Sequence, residues 1–343
     1  EEDVQMTIRL IMAFAIAFFV SSGIGAFLVP WLRKIKAGQA IREDGPRWHM
    51  SKSGTPTMGG IMFIAALAVV CLTVGFEPMM NGDWGHIFCF VFALIFGAIG
   101  FLDDYEKLRK KQNLGLSAKS KFLLQLVAAL AFVFLMRRTG YVTTNLYIPF
   151  WNVVKPLPEV VYFIFAAFVI VGTVNSVNLT DGVDGLAAGT SIPVCLFFSV
   201  LAYIWGEQYL SLGIYAAALV GGLMGFLIYN YNPAKVFMGD TGSLFLGGAI
   251  VALAFAYDMP LILIVLGLMY IIETLSDIIQ VGYFKLSHGK RVFKMAPFHH
   301  HLEMGGWTGH KWKEKEIFTL FTGISLLMSI ISFIVVCRHF MGL

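Results

Sequence analysis

Charge is what this 343-residue chain lacks: Asp, Glu, Lys and Arg make up 13% of it, against 58% hydrophobic residues, and mean hydropathy is +0.76. Soluble domains carry about 25% charged residues, so a soluble globular fold is excluded and a polytopic membrane protein is indicated. Cysteine is scarce too. Cys71, Cys89, Cys195 and Cys337 stand singly in apolar segments, without metal-ligand spacing, and read as small core residues. Neither a P-loop nor a dinucleotide glycine fingerprint is present. No linker, low-complexity tract or internal repeat divides the chain, so 1–343 reads as a single integral-membrane domain. The first apolar run follows acidic Glu1, Glu2 and Asp3 rather than a basic segment and is too long for a signal-peptide core. It reads as a retained span.

What the chain has is apolar runs. About 17–25 apolar residues cross a bilayer core, and about ten such runs occur, near 10–32, 57–76, 86–102, 120–136, 160–175, 186–205, 210–230, 241–257, 260–284 and 316–337. The fold class predicted is therefore all-α, with about ten transmembrane helices. The segments between runs alternate between two faces. One face (33–56, 103–119, 176–185, 231–240, 285–315, with Lys121 at a helix start) holds 20 of the 25 Lys and Arg. That asymmetry predicts a cytoplasmic face there, both termini outside, and cytoplasmic active-site loops. The opposite loop 137–159 is rich in aromatics over 141–151, suits an interfacial belt and is compatible with a short strand pair.

Nearly all polar clusters fall on the predicted cytoplasmic face. The densest is Asn175-Ser176-Val177-Asn178-Leu179-Thr180-Asp181-Gly182-Val183-Asp184-Gly185, between two apolar runs. Alone it is equally a solvated turn, because Asn and Asp-Gly are turn chemistry, and a site, because polar groups at the end of an oily helix are costly to keep dry. Asp103-Asp104 with Lys107 one turn on could bind a divalent cation and phosphate together, or merely stop a helix. Asp240 opens another run as a cation ligand or an N-cap. Lys52 and Thr57 flank a Gly- and hydroxyl-rich helix start able to present N–H groups to an anion. Glu273, Asp277 and Gln280, spaced i, i+4, i+7, share a helix face and should line a polar cavity or pair with something. His299, His300 and His301 are consecutive, so they cannot all face one metal ion from a regular helix or strand. Together these residues suit Mg²⁺-dependent chemistry on a phosphorylated soluble substrate with a lipid partner.

Five segments in order, Pro56-Thr57-Met58-Gly59-Gly60, Asp103-Asp104-Tyr105-Glu106-Lys107, Asn175 to Leu186, Phe237-Met238-Gly239-Asp240 and Met295-Ala296-Pro297-Phe298-His299-His300-His301, resemble the bacterial phospho-N-acetylmuramoyl-pentapeptide-transferases. The similarity runs from about residue 40 to the end. The aspartate motifs are shared with the wider superfamily of polyprenyl-phosphate N-acetylhexosamine-1-phosphate transferases; the Met-Ala-Pro-x-His-His-His form points to the peptidoglycan branch. The resemblance implies ten helices in the bacterial cytoplasmic membrane and a homodimer. It implies transfer from UDP-N-acetylmuramoyl-pentapeptide to undecaprenyl phosphate, with Mg²⁺, giving lipid I and UMP. It puts Asp103, Asp104 and Lys107 on the catalytic motif, Asp240 on the magnesium ligand, and Asn178 and Asn175 toward diphosphate and metal. Asp181, Gly182, Asp184 and Phe237 fall in or near a nucleoside pocket, with Phe237 stacking on uracil. His299, His300 and His301 contact substrate, and Lys52, Thr57 and Gln280 line the pocket. Glu273 and Asp277 receive no role.

Two other readings stand beside it. A sister transferase would use a UDP-N-acetylhexosamine and another polyprenyl phosphate. A secondary transporter would need midplane polar groups and half-to-half repeats, which this chain does not display.

Overall fold

The computed structural model describes residues 2–35, 52, 54–110 and 115–340. The basic residues Lys36, Arg42, Arg47 and Lys111 of the predicted cytoplasmic face lie outside the described residues. Thirteen α-helices follow in order among the described residues: α1 (Glu2–Lys34), α2 (Ile61–Leu72), α3 (Phe76–Met80), α4 (Gly85–Lys110), α5 (Ala118–Arg138), α6 (Glu159–Thr180), α7 (Leu186–Trp205), α8 (Leu210–Asn230), α9 (Gly239–Ala256), α10 (Leu263–Leu266), α11 (Leu268–Leu286), α12 (Phe298–Glu303) and α13 (Glu314–Phe340).

Eight of these, α1, α4 to α9 and α13, are long and apolar enough to cross a membrane. Two predicted runs take a different form. Run 57–76 becomes helical only at Ile61, because Gly59 and Gly60 donate their N–H groups to Phe237 and Met238 carbonyls instead of starting a helix; α2 is therefore 12 residues long. Run 260–284 is not one straight span. Pro260–Leu266 and Leu268–Leu286 meet at Gly267 with a bend of 81°. The strand pair expected in loop 137–159 is present: β1 (Asn145–Ile148) pairs antiparallel with β2 (Val153–Pro156), around a turn where Phe150 and Asn152 have positive φ.

The helices carry apolar residues all round, as a membrane demands, so small residues rather than amphipathicity decide who packs centrally. α9 contains Gly239, Gly242, Gly247, Gly248 and four alanines, and is buried from Thr241 to Ala256. It packs on α4 and α6, while α8 packs on α1, α2 and α7. The outer helices instead expose large side chains such as Phe19, Phe27, Leu123 and Phe168. This layout brings the C-terminal end of α4, the N-terminal end of α9 and the α6–α7 turn to one end of the bundle.

Candidate active site

The site is built where the last two turns of α4 meet the first turn of α9. Asp104 on α4 is buried and caps α9 from outside: its carboxylate accepts N–H bonds from Asp240 (3.2 Å) and Thr241 (2.9 Å), and the Thr241 hydroxyl (2.7 Å). A helix N-terminus has orphan donors and a partial positive charge, so this placement satisfies both partners. The cap turns the Asp240 side chain toward Asp103. Lys107 Nζ sits between them, 2.6 Å from Asp103 and 2.9 Å from Asp240. Asp103 also accepts the N–H of Leu116 at 2.8 Å.

A second ammonium completes the cluster. Lys121 Nζ lies 2.8 Å from Asp240 Oδ2. In the sequence Lys121 stands only as one of the basic residues of the predicted cytoplasmic face, at a helix start. One signal was available: a lysine in the first turn of an apolar helix opposes the helix dipole, and such a local misfit calls for a reason. Asn178 Nδ2 reaches Asp240 Oδ1 at 2.9 Å and the Ser243 hydroxyl at 2.7 Å, tying the end of α6 to α9.

Donor atoms of Asp103, Asp104 and Asp240 all lie within 4.8 Å of one another. Clustered, hard carboxylate oxygens suit Mg²⁺, which takes oxygen donors and keeps several waters, so the residues present fit such an ion. Lys107 and Lys121, both on Asp240 Oδ2, are cations that can also meet a phosphate oxygen beside such an ion.

A second layer lies around the α6–α7 turn. Asp184 is buried and accepts from Asn232 Nδ2 (3.0 Å) and Ala234 N (2.9 Å). Its other oxygen pairs with Lys52 at 2.7 Å. Lys52 also pairs with Glu314 at 2.6 Å, and the Glu314 carboxylate accepts the Asp184 N–H. Glu314, the first residue of α13, was not foreseen from sequence. Glu314→Ala would leave Lys52 with one carboxylate and strand a backbone N–H, costing about 1–3 kcal/mol. A lowered melting temperature in detergent is the expected result; an unchanged one would remove Glu314 from this network.

Asp181, at the C-cap of α6, has its carboxyl pushed well above the usual range, first by burial and then by the charges of Asp240, Asp104 and Asp184. Thr57 is buried with no partner for its hydroxyl. Both Thr57 Oγ1 and Asp104 Oδ2 lie close to Gly239. Phe237 is half-buried, its backbone fixed by Pro56 O and Gly59 N at 2.8 Å each.

Three predicted site residues are engaged in scaffold contacts. Asn175 gives its amide to Gln125 Oε1 (2.7 Å) and Val171 O (2.8 Å), joining α5 to α6. Gln280 accepts the N–H groups of Val292 and Phe293, pinning the following loop to α11. His301 accepts the Lys294 N–H and packs its ring on Trp307 at 4.5 Å, and burial lowers its pKa. The three histidines do diverge, as consecutive positions require. His300 Nδ1 turns to Glu303 at 2.7 Å, and His299 Nδ1 to Glu273 at 2.6 Å.

Residues 86–258 match the family described as glycosyl transferase family 4, and residues 52–64 match signature 1 of the phospho-N-acetylmuramoyl-pentapeptide-transferases. Curated relatives bearing that transferase name are similar over nearly their whole length. The one from Clostridium acetobutylicum is 44% identical, covering 95% of this chain and 99% of its own. Those from Caldanaerobacter subterraneus subsp. tengcongensis and Listeria monocytogenes are 45% and 43% identical, each covering 95% of this chain and 98% of theirs.

Proposed function

The chain belongs to the phospho-N-acetylmuramoyl-pentapeptide-transferases, and we propose that it transfers phospho-N-acetylmuramoyl-pentapeptide from UDP-N-acetylmuramoyl-pentapeptide to undecaprenyl phosphate, giving lipid I and UMP. The observation that carries the reading is the convergence of Asp103, Asp240, Lys107 and Lys121 from three helices. We place this site on the cytoplasmic face of the bacterial membrane, a reading supported by the 20 Lys and Arg on that side. Mg²⁺ dependence and assembly as a homodimer are carried into the proposal from the resemblance, the former supported by the carboxylate cluster.

Attacker and target are both anionic phosphates, so Coulomb repulsion opposes their approach. Lys107 and Lys121 offset it, as pre-placed cations whose reorganisation is already complete. Mg²⁺ held by Asp103, Asp104 and Asp240 would supply further Lewis-acid neutralisation of diphosphate charge. A phosphate monoester has a second pKa of about 6, so the lipid phosphate is mostly dianionic at neutral pH and needs little help from a base. Its oxygen attacks the sugar-side phosphorus, the bond to the UMP oxygen breaks, and UMP departs with the electron pair.

A covalent aspartyl phosphate is disfavoured by the hydrogen bonds. On Asp104 it would forfeit three bonds that cap α9, and Asp103 is held by Lys107 and Leu116. UMP release tests both points in one assay. Release is expected with UDP-N-acetylmuramoyl-pentapeptide plus undecaprenyl phosphate, and little with UDP-N-acetylglucosamine. Preference for the latter would reassign the chain to a sister transferase. Rapid stoichiometric UMP without lipid would sink single-step transfer.

A further inference from the structure

Glu273 is a carboxylate inside an apolar helix for which the proposed reaction has no role. It is 0% exposed, and His299, 1% exposed, is clasped by it at two points. Glu273 Oε2 lies 2.6 Å from His299 Nδ1, and Oε1 accepts the His299 backbone N–H at 3.2 Å. The 2.6 Å contact requires a proton between the two groups, and because the Glu273 carboxylate already accepts the His299 backbone N–H, the assignment that fits has Nδ1 donating to it. That leaves Nε2, buried and without a partner, as the atom with unspent capacity. It abuts Gly182: a methyl at that glycine would stand 2.3 Å from Nε2 and 2.6 Å from Cε1. Gly182 lies in the turn that also carries Asp181 and the Lys52 partner Asp184.

We propose that Glu273 is a positioning residue, which fixes His299 with Nδ1 donating to it so that Nε2 is presented at the Gly182 turn to an anionic oxygen of the nucleotide substrate. The nucleotide-sugar reading above underlies the last clause; the Glu273–His299 unit does not depend on it. A buried carboxylate here is stable only if paired, and an imidazole shared with it is held in one orientation, as in histidines oriented by a carboxylate elsewhere. The charges facing His299 act in the same sense. Burial alone would lower its pKa, but Glu273 on α11, Glu303 on α12 and Glu314 on α13 reverse this and raise it above the ordinary 6.5, with His300 the other titratable ring beside it, 4.1 Å away. These charges favour the protonated ring, in which Nε2 also carries a hydrogen and donates. Because the folded pKa is raised, the stability this pair contributes is complete below the unfolded value of about 6.5 and is lost as pH rises through the folded pKa.

The test uses the full-length protein in detergent, with ¹⁵N-labelled histidine and His299→Gln to assign the His299 signal. Glu273→Gln keeps the shape and removes the charge. Its expected result is a fall of at least about one unit in the His299 pKa. The alkaline limb of kcat/KM for UMP release should move by the same amount, about tenfold in rate above the limb. Glu273→Asp should restore much of the pKa. Gly182→Ala, with Glu273 intact, should lower kcat/KM at every pH without moving the limb. An unchanged His299 pKa in both Glu273 variants overturns the positioning role, as does full activity in Gly182→Ala. If the wild type releases no UMP, the reaction reading fails while the NMR titration still decides the role of Glu273.

Discussion

Asp240→Asn is expected to lower UMP release about a thousandfold, with the Mg²⁺ requirement weakened at the same time. The side chain is the junction of the site: two ammoniums, Lys107 and Lys121, converge on one oxygen, and the Asn178 amide holds the other. An amide has nearly the same volume but carries one acceptor oxygen in place of two anionic ones. Turned one way it points N–H at two ammoniums; turned the other it points N–H at the Asn178 amide. Neither orientation satisfies all three donors, so the lysines lose their fixed places where phosphate charge gathers. The α9 cap is untouched, because Asp104 binds the backbone N–H of residue 240 and not its side chain. The melting temperature should therefore move little compared with activity. Mg²⁺ titration of UMP release, together with Mn²⁺ binding followed by EPR, provides the check, with exposed Glu207→Gln at the far end of the bundle as control. Equal titration curves for the two variants would remove Asp240 from the cation site.

The sequence revealed residue types and which end of the bundle they occupy, because those follow from local chemistry: apolar length, charge asymmetry, polar residues at span ends. It did not reveal partners. Asp104 looks interchangeable with Asp103 in sequence, yet one caps α9 and the other meets Lys107; only the crossing of α4 and α9 separates them. Lys121 and Glu314 reach the site from 119 and 130 positions away from Asp240 and Asp184, a distance across which no periodicity speaks. Asn175 and Gln280 carry the right chemistry for a pocket and are engaged in holding helices and a loop. Of the shared helix face of Glu273, Asp277 and Gln280, Glu273 and Gln280 are buried and pair with protein groups rather than lining a cavity, while Asp277 is half-buried. The broken span at Gly267 was invisible because an apolar run carries no record of its direction.

Gly100→Ala is expected to damage both stability and catalysis, and for one geometric reason. At residue 100 the helix bearing Asp103 and Asp104 crosses the helix bearing Asp240. A Cβ there would lie 2.0 Å from the Asp240 carbonyl oxygen, 2.4 Å from its carbon and 2.7 Å from Thr241 N. All three are backbone atoms, so no side chain can swing aside and the helices must separate. Alanine gains up to about 1 kcal/mol over glycine in helix propensity, but overpacking a tight contact costs about 1–3 kcal/mol, so the net sign is destabilising. The separation is also felt at the carboxylates, three and four residues on, whose donor atoms now fit within 4.8 Å. A displacement of about 1 Å in such a site costs roughly a hundredfold in rate. Gly97→Ala, one turn earlier on the same helix, is the internal control. There the nearest atoms are the Phe245 side chain at 3.2–3.3 Å, which can give by a few tenths of an ångström, and the propensity gain offsets the strain. Thermal melting and UMP release of the two variants should diverge: Gly97→Ala close to wild type, Gly100→Ala lower in both. If the two behave alike, the α4–α9 crossing does not set the spacing of the carboxylates.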